Sequence, residues 1–517
     1  MAKKQASRSI STTSPIGGLN ARDSLAAMPP QDAVILDNFF PTPTTVDLRK
    51  GYIKWATGLP SHVESLMSYK SATASKIFAA SGTEIYDVTV QGAVGTAVVT
   101  GLTNARFQHA NFGTPGGQFL YLVNGVDKPR LYNGSTWTAI DGASTPAITG
   151  VTTTSLIHLN VYKNRLFFIE KDSMSAWYLP INSIAGAASE LDFSSMFKLG
   201  GYLAAMATWT IDNSAGIQEY AVFISSEGEV AVYQGADPGD ANSWAVVGVF
   251  RIGHPVGRRC FAKVGSDVII IGADGFIPLS KALLTDRSQT QEAISTKILN
   301  LVNEDVAKYG TTFGWEPCLF PIGNKFIINV PTQANKSSYQ YVMNTVTSAW
   351  CRFKGWDANC FLVDDDRLFF GGNYTDADNK GYVARADYLY SDDGAFIQGE
   401  VKTAFQYFGA PGLLKRFTMV RPIFNTAGTM NAALNMDVDF DNKPPTATPT
   451  FFNTGGTKWN TAKWNTFQWF GGFEIKKNWQ GVNGVGYSGA LHMKIVHNIA
   501  PVQWMSIDYV FETGNIL

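Results

Sequence analysis

The sequence predicts an all-β chain: a β-propeller of six to seven blades, a β-sandwich platform made from both chain ends, and one inserted helix. Three observations point there. Glycine is abundant (49 of 517 residues), aromatic residues make up 13% and charged residues only 16%, a balance suited to short strands and tight turns. A motif of two β-rich runs around a polar turn recurs through the middle of the chain. Both ends lack that motif yet are rich in β-formers, and the chain is long enough for more than one core.

Residues 1–15 are small, polar and slightly basic through Lys3, Lys4 and Arg8, which predicts a flexible arm ordered only by a neighbour. They lack the apolar centre of a secretory signal, and no run in the chain approaches the roughly 18 apolar residues of a membrane helix. Synthesis in a cytosol, without export or a membrane span, is the expectation. Cys260, Cys318, Cys351 and Cys360 form no CxxC pair, which fits reduced, mostly buried thiols.

Residues 16–60 are short apolar stretches punctuated by Pro and Gly. Ile35, Leu36, Phe39 and Phe40 offer apolar surface worth roughly several kcal/mol if buried, but the segment has too little periodicity to fold alone. It therefore needs a host, and the open-edged C-terminal β region is the expected one. The propeller would then be inserted between the two halves of a discontinuous platform.

The propeller is expected over residues 61–395. Its repeated runs begin at Lys76, Phe119, Arg165, Tyr220, Val268, Lys325 and Arg367, a spacing near the ~40–50 residues of a four-stranded blade. Each unit reads as a hairpin whose first strand, such as FLYLV, RLFFI or VIIIG, is apolar on both faces. Such a strand must be sandwiched between neighbouring sheets, and radial stacking achieves this while leaving only short edges. Independent sandwich hairpins are the alternative. Within this region, 285–310 predicts a helix: Ile294, Ile298, Leu301, Val302 and Val306 fall at helical spacing, with Thr285 or Ser288 as N-cap and Gly310 as terminator. It is expected to sit on the propeller rim, either as packing or as a subunit contact.

Residues 396–517 read as the C-terminal β-sandwich platform, interrupted by the Pro/Thr-rich linker KPPTATPTFFNTGGT. Trp459, Trp464 and Trp469 recur every fifth residue, an interval that fits neither a helix nor a strand face. Successive turns stacking the indoles are expected, with carbohydrate stacking as the functional alternative.

Fragments that mimic chemical sites fail on context. Gly484, Gly486 and Gly489 spell GxGxxG, but the next run, LHMKIVHN, reads as a strand and not a helix, so a hairpin turn is expected and not a phosphate cradle. Asp437, Asp439 and Asp441 open like a calcium loop, but Asn442 and Thr448 stand where glycine and glutamate are required. On a strand the three carboxylates would share one face and be solvated, or hold a cation weakly. Asp364–Asp366, Asp376 and Asp378 suit hairpin turns. His62, His109, His158, His254, His492 and His497 show no ligand spacing, and there is no nucleophile elbow, zinc helix or Walker loop. No catalytic, metal or cofactor-binding residue is nominated, no cofactor is expected, and the chain is not expected to be an enzyme. Basic and acidic residues nearly cancel, 41 against 42, so no overall charge recruits nucleic acid.

The segment Ile16–Tyr52 carries a family resemblance. Gly17, Gly18, Leu19, Asn20, Arg22 and Asp23 stand first, then Met28, Pro29 and Pro30, then Asp37, Asn38, Phe40 and Pro41, and finally Arg49 and Gly51. This succession resembles the opening of the tail nozzle or tail hub proteins of short-tailed bacteriophages, the tail tubular protein B-like and packaged-DNA-stabilisation-like family. The Trp-Asn repeat and the terminal IDYVFETGNIL look like that family's C-terminus, and together with the propeller-like middle the resemblance covers most of the chain. It implies a virion structural protein: a homo-hexameric ring below the adaptor, or head-to-tail connector, ring. It implies tail fibres, spikes, needle or plug proteins as neighbours, and double-stranded DNA passing through the lumen without sequence specificity. Virion tail is the implied location, and the family has no catalytic motif to transfer. The alternatives are a glycan-binding or glycan-cleaving propeller and a receptor-binding tail protein.

Overall fold

A computed structural model describes residues 7–213, 216–282, 293–373, 380–452 and 473–514. Among them, seven small antiparallel sheets close into a propeller. The repeated runs of the sequence coincide with the second strand of each blade and not the first. These strands are Ser75–Ser81, Gly117–Val123, Arg165–Glu170, Gly216–Ser225, Asp267–Gly272, Lys325–Gln333 and Arg367–Gly372. The innermost strands, beginning with Val63–Lys70 and Gln108–Thr114, carry a weaker apolar signal because they face the axis.

Alternation along the second strands builds the ring. Leu166 and Phe168 enter the core shared with blade 2, whereas Phe167 and Ile169 enter the core shared with blade 4. Likewise Phe78 and Ala80 pack towards blade 2, while Ile77 and Ala79 meet Cys360, Phe369 and Val383 of blade 7. A period of two thus feeds two inter-blade cores from one strand, which is why both faces are apolar. The last core joins blade 7 to blade 1 and closes the circle.

Closure uses the N-terminal side of the chain. Tyr52–Leu59 pairs antiparallel with Gly381–Ala386 as the outer strand of blade 7, with Arg385 opposite Ile53 and Tyr382 opposite Thr57. The propeller therefore begins at Tyr52, and not at residue 61 as the pattern suggested, because a strand completing a sheet from the other end of the ring does not repeat the local motif.

The platform interleaves both ends of the chain. Val502–Thr513 pairs with Lys415–Thr426 on one side and, on the other, with Ser7–Thr13 and the short strand Val46–Leu48. Ser7–Thr13 is thus a strand in register from Ser7 opposite Glu512 to Thr13 opposite Ser506. This corrects the expected free arm from Ser7 onward, where the neighbour that orders it is the chain's own last strand; residues 1–6 lie outside the described residues. In the second sheet Ile397–Thr403 lies between Asp32–Asp37 and Gly489–His497. Leu36, Phe39, Val401, Met493, Trp504 and Ile507 are buried in their common core, with the Phe39 and Trp504 rings 6.0 Å apart. A single parallel bridge, Asp37 to Arg352, continues this sheet into the outer strand of blade 6.

The helix is shorter than its periodicity. A 3-10 turn, Thr296–Ile298, leads into an α-helix over Leu299–Tyr309, with Ile298 as N-cap and no side-chain cap. Thr285 and Ser288 lie outside the described residues, and Ile294 precedes the helix. The helix does end at Gly310, which keeps right-handed dihedrals and donates its N–H to Val306. Val302 and Asp305 are buried, and Asp305 accepts hydrogen bonds from Tyr339 and Tyr341 of blade 6.

Among the described residues no helix is long and apolar enough to cross a membrane.

Candidate functional site at the propeller–platform joint

The residues that carry the family resemblance gather where the propeller meets the platform. Gly17 and Gly18 make the entry turn. A Cβ on Gly17 would lie 2.1 Å from the Asp32 carboxylate, and Gly18 has φ +84° with the Trp350 backbone 2.6 Å from its missing Cβ. Neither position admits a side chain. Leu19 is buried. Asn20, also buried, donates to Asp23 (2.9 Å) and Asp32 (2.7 Å). Its carbonyl oxygen accepts the N–H groups of Arg22 and Asp23 at 3.1 Å, closing an Asx-type turn. Asp32 in turn holds Lys297 at 2.8 Å, and Lys297 also donates to the Gly17 carbonyl at 3.0 Å. The opening motif is thereby latched to the turn that begins the inserted helix. Met28 is buried, Pro29 and Pro30 are exposed, and the Pro29 carbonyl accepts the Asp32 N–H at 3.0 Å.

The second half of the motif forms a denser knot. Asn38 has φ +60°, a left-handed conformation that asparagine tolerates better than most residues. That bend aims its amide at both domains: it donates to the Gln398 carbonyl of the platform at 2.8 Å and accepts the Lys354 N–H of blade 6 at 2.7 Å. Arg49, with only 1% of its side chain exposed, uses every N–H of its guanidinium. Nε donates to Asn38 (2.8 Å), Nη1 to the Lys50 carbonyl (3.0 Å) and Asp392 (2.8 Å), and Nη2 to the Lys354 carbonyl and to Asp392 (both 2.6 Å). Its charge also lies 5.3 Å from the Trp356 ring centre. A buried arginine is tolerable only when paired and saturated in this way.

Asp37 accepts from Arg352 at 2.7 Å and Lys354 at 2.6 Å. Burial works against the Arg352 charge, but the Asp37 carboxylate outweighs it and holds the guanidinium pKa above its ordinary value. Phe40 packs on Phe353 and lies under the Lys325 ammonium, 4.7 Å away. The Pro41 carbonyl accepts from Asn344 at 2.9 Å. Gly51 leaves room for the Ser391 carbonyl, which would lie 1.9 Å from a Cβ.

A cleft of about 350 Å³ opens beside the knot, lined in part by Arg49, Lys354, Asp392, Phe396 and Glu400. Its charges are spoken for: Arg49 holds Asp392, and Glu400 is 3.0 Å from His492 and 3.4 Å from Lys494. The arrangement supplies a fixed joint and no free nucleophile or base.

Asp392, Lys354, Trp356 and Gln398 belong to this joint but stand out in no sequence pattern. Only the SDDG turn around Asp392 marks a special position. The Asp437, Asp439 and Asp441 series does not share a face. The strand Ala433–Val438 ends before Asp439, whose φ is +48°. Asp437 is buried against Lys402 (2.9 Å) and His492 (3.3 Å), Asp439 accepts the Tyr487 and Ser488 N–H groups at 2.8 and 2.9 Å, and Asp441 pairs with Lys443 on the surface. Three different partners replace the single cation-binding face. No group of ligating side chains suited to a metal occurs among the described residues. Gly484, Gly486 and Gly489 lie at the turn between Gln480–Gly486 and Gly489–His497, but the first strand pairs with Lys415–Thr426 and the second with Ile397–Thr403 and Ala433–Val438, so the turn crosses between two sheets and is not the expected hairpin. Asp365 and Asp366, both with positive φ, turn the hairpin of blade 7. Asp376, Asp378, Trp459, Trp464 and Trp469 lie outside the described residues. The four cysteines are free, and Cys318 is the one not fully buried.

No family model and no curated protein matches the chain. Among solved structures it is similar to the crystal structures of BBS1N in complex with ARL6DN, soaked with mercury or with lead. These are 7% and 8% identical to it, and each match covers 65% of this chain and 97% of the other at a TM-score of 0.39. It is similar also to the Myceliophteria thermophila Cps50 (Swd1) beta-propeller domain, at 10% identity, 64% and 99% coverage and a TM-score of 0.39.

Proposed function

We propose that the chain is a structural ring subunit of a short-tailed phage tail, a nozzle or hub through which DNA leaves the capsid, and not an enzyme. One observation carries this reading most. The residues that resemble the nozzle and hub family, from Gly17 to Gly51, are those on which the propeller–platform joint depends, so the shared motif has a structural reason to exist. A subunit that must hold shape under internal pressure needs such a joint. The proposed assembly is a homo-hexamer docked below an adaptor ring, with fibres, spikes, needle or plug proteins as further neighbours. A near-neutral chain, with a formal charge of -1, suits DNA that must slide through a lumen, because each phosphate neutralised would add affinity and slow its exit.

A glycan-cleaving propeller would need a carboxylate pair poised as acid and base or nucleophile. Glu64 and Glu316, close to the propeller axis, are instead held by Arg106 and Arg259, each at 3.0 Å, which speaks for structure over hydrolysis. The test is the copy number and rotational order of the protein in purified virions, by electron microscopy. Six copies per tail are expected, and three or five would sink the proposal.

A further inference from the structure

The first platform sheet has two free edges. Its main strands, in order across the sheet, are Gln480–Gly486, Lys415–Thr426, Val502–Thr513 and Ser7–Thr13, each antiparallel to the next. Among the described residues no strand pairs with the outer side of Gln480–Gly486 or of Ser7–Thr13. An open edge of this kind is a template for a further strand, and proteins that must stay single blunt it with charge, proline, a bulge or a covering loop. Here QGVNGVG carries no charge, SRSISTT carries only Arg8, and neither has a proline. The one irregularity is a register shift opposite Phe417 and Met419.

The two edges match in height and in direction. Val485 lies opposite Arg416, Arg416 opposite Glu512, and Glu512 opposite Ser7; Gln480 leads in the same way through Val420 and Tyr509 to Ile10. The free edges therefore stand at one level on opposite sides of the sheet. Because four strands separate them as an even set, Gln480–Gly486 runs antiparallel to Ser7–Thr13. A rotation about an axis along the strands preserves their direction, so one edge meets the other edge of a rotated copy as an antiparallel pair. A contact between unlike edges repeats from copy to copy until the ring closes.

Exposed apolar side chains gather on one of these edges. Glu474–Lys476 continues the edge beside Phe424–Thr426, and along it Phe473, Ile475, Trp479 and Val485 are all exposed, as at a surface that a partner covers.

We propose that Ser7–Thr13 of one copy adds to Gln480–Gly486 of the next, joining the platform sheets head to tail into one closed antiparallel sheet. The closure rests on the ring reading above, and the edge pairing supplies the contact which that reading leaves open. Six copies would set about 24 strands round the axis, more than the 16–18 of porin barrels that enclose an aqueous channel.

The test is disulfide trapping in the full-length protein, oxidised in concentrated solution and in virions. Double variants carry one cysteine in place of Ser7, Ser9 or Ser11 and one in place of Asn483 or Val485, all exposed positions. Within one chain the two edges lie three strand spacings apart, roughly 14 Å, beyond the ~7 Å between Cα atoms that a disulfide can bridge, so every such link joins two copies. A ladder of cross-linked oligomers extending past the dimer is expected from at least one double variant, about tenfold or more above wild type, and none from the single variants. Val485→Lys, which sets a charge on the exposed edge, should weaken association about tenfold or more and leave the fold of the single chain intact by circular dichroism. Cross-linked dimers from a single variant would mean that like edges pair, and would overturn the proposal. The absence of a ladder from every double variant would overturn it too, even if microscopy still counts six copies per tail and the ring reading survives. A ladder that closes at a number other than six would support the edge pairing and sink the hexamer.

Discussion

Arg49 shows how one side chain can join two bodies. Its donors reach Asn38, Lys50, Lys354 and Asp392, and removing it would strand the Asp392 carboxylate and two carbonyls at the joint. Breaking a buried pair costs about 3–5 kcal/mol, so Arg49→Ala should lower the urea midpoint of the joint accordingly. Arg49→Lys should recover little, because a point charge cannot replace a planar fork. His158 makes a separate statement about acidity. Its folded pKa, lowered by burial to about 4 from 6.5, means that the unfolded chain binds a proton that the native chain refuses. Stability from this residue is complete above pH 6.5 and is lost as pH falls towards 4. The loss from this residue is about 2 kcal/mol at pH 5; His109, lowered to about 4 in the same way, adds its own, so melting curves between pH 7 and pH 5 should show a loss about 2 kcal/mol smaller in His158→Phe than in the wild type. At this scale the sequence is partly legible. Gly18, Asn38 and Arg49 are visible as a motif, but the partner Asp392 lies 343 residues from Arg49, and nothing local announces it.

Among elements, the apolar runs from Lys76 to Arg367 are legible because one strand per blade is buried on both faces by its two neighbours. The strands at the axis carry buried polar residues such as Glu64, Ser65, His158 and Asn359, and strands at the rim such as Ala245–Arg251 are largely exposed, so both leave a weaker trace. Tyr52–Leu59 escapes the pattern for a related reason: its partner strand, Gly381–Ala386, comes from the far end of the ring, so no repeat unit surrounds it. The helix is legible as a periodicity but not in its extent, since a 3-10 turn precedes Leu299. The strand that closes blade 7 gives a sharp prediction. A fragment of residues 51–395 should fold cooperatively, whereas 60–395 should leave the Gly381–Ala386 edge unpaired and expose Val383 and Ala384, both buried in the whole chain. Circular dichroism and sedimentation of the two fragments check this; a well-folded, monomeric 60–395 fragment would mean that the outer strand is dispensable.

For the whole molecule, the ends of the chain are its organising device. Ser7–Thr13 lies against the last strand, Val46–Leu48 flanks that strand as well, and Tyr52–Leu59, a few residues later, closes the propeller. Between them the knot of Asn38 and Arg49 fixes the turn from one body into the other. The two domains should therefore act as one rigid unit, as a load-bearing ring subunit requires. Hydrogen exchange measured by mass spectrometry on the full-length protein and on Arg49→Ala tests this most directly. The account predicts that the variant loses protection in Asp32–Asp37, Trp350–Lys354 and Ile397–Thr403, while Arg165–Glu170 and Gly216–Ser225, remote from the joint, keep theirs. Unchanged protection at the joint, or an equal loss through every blade, would contradict it.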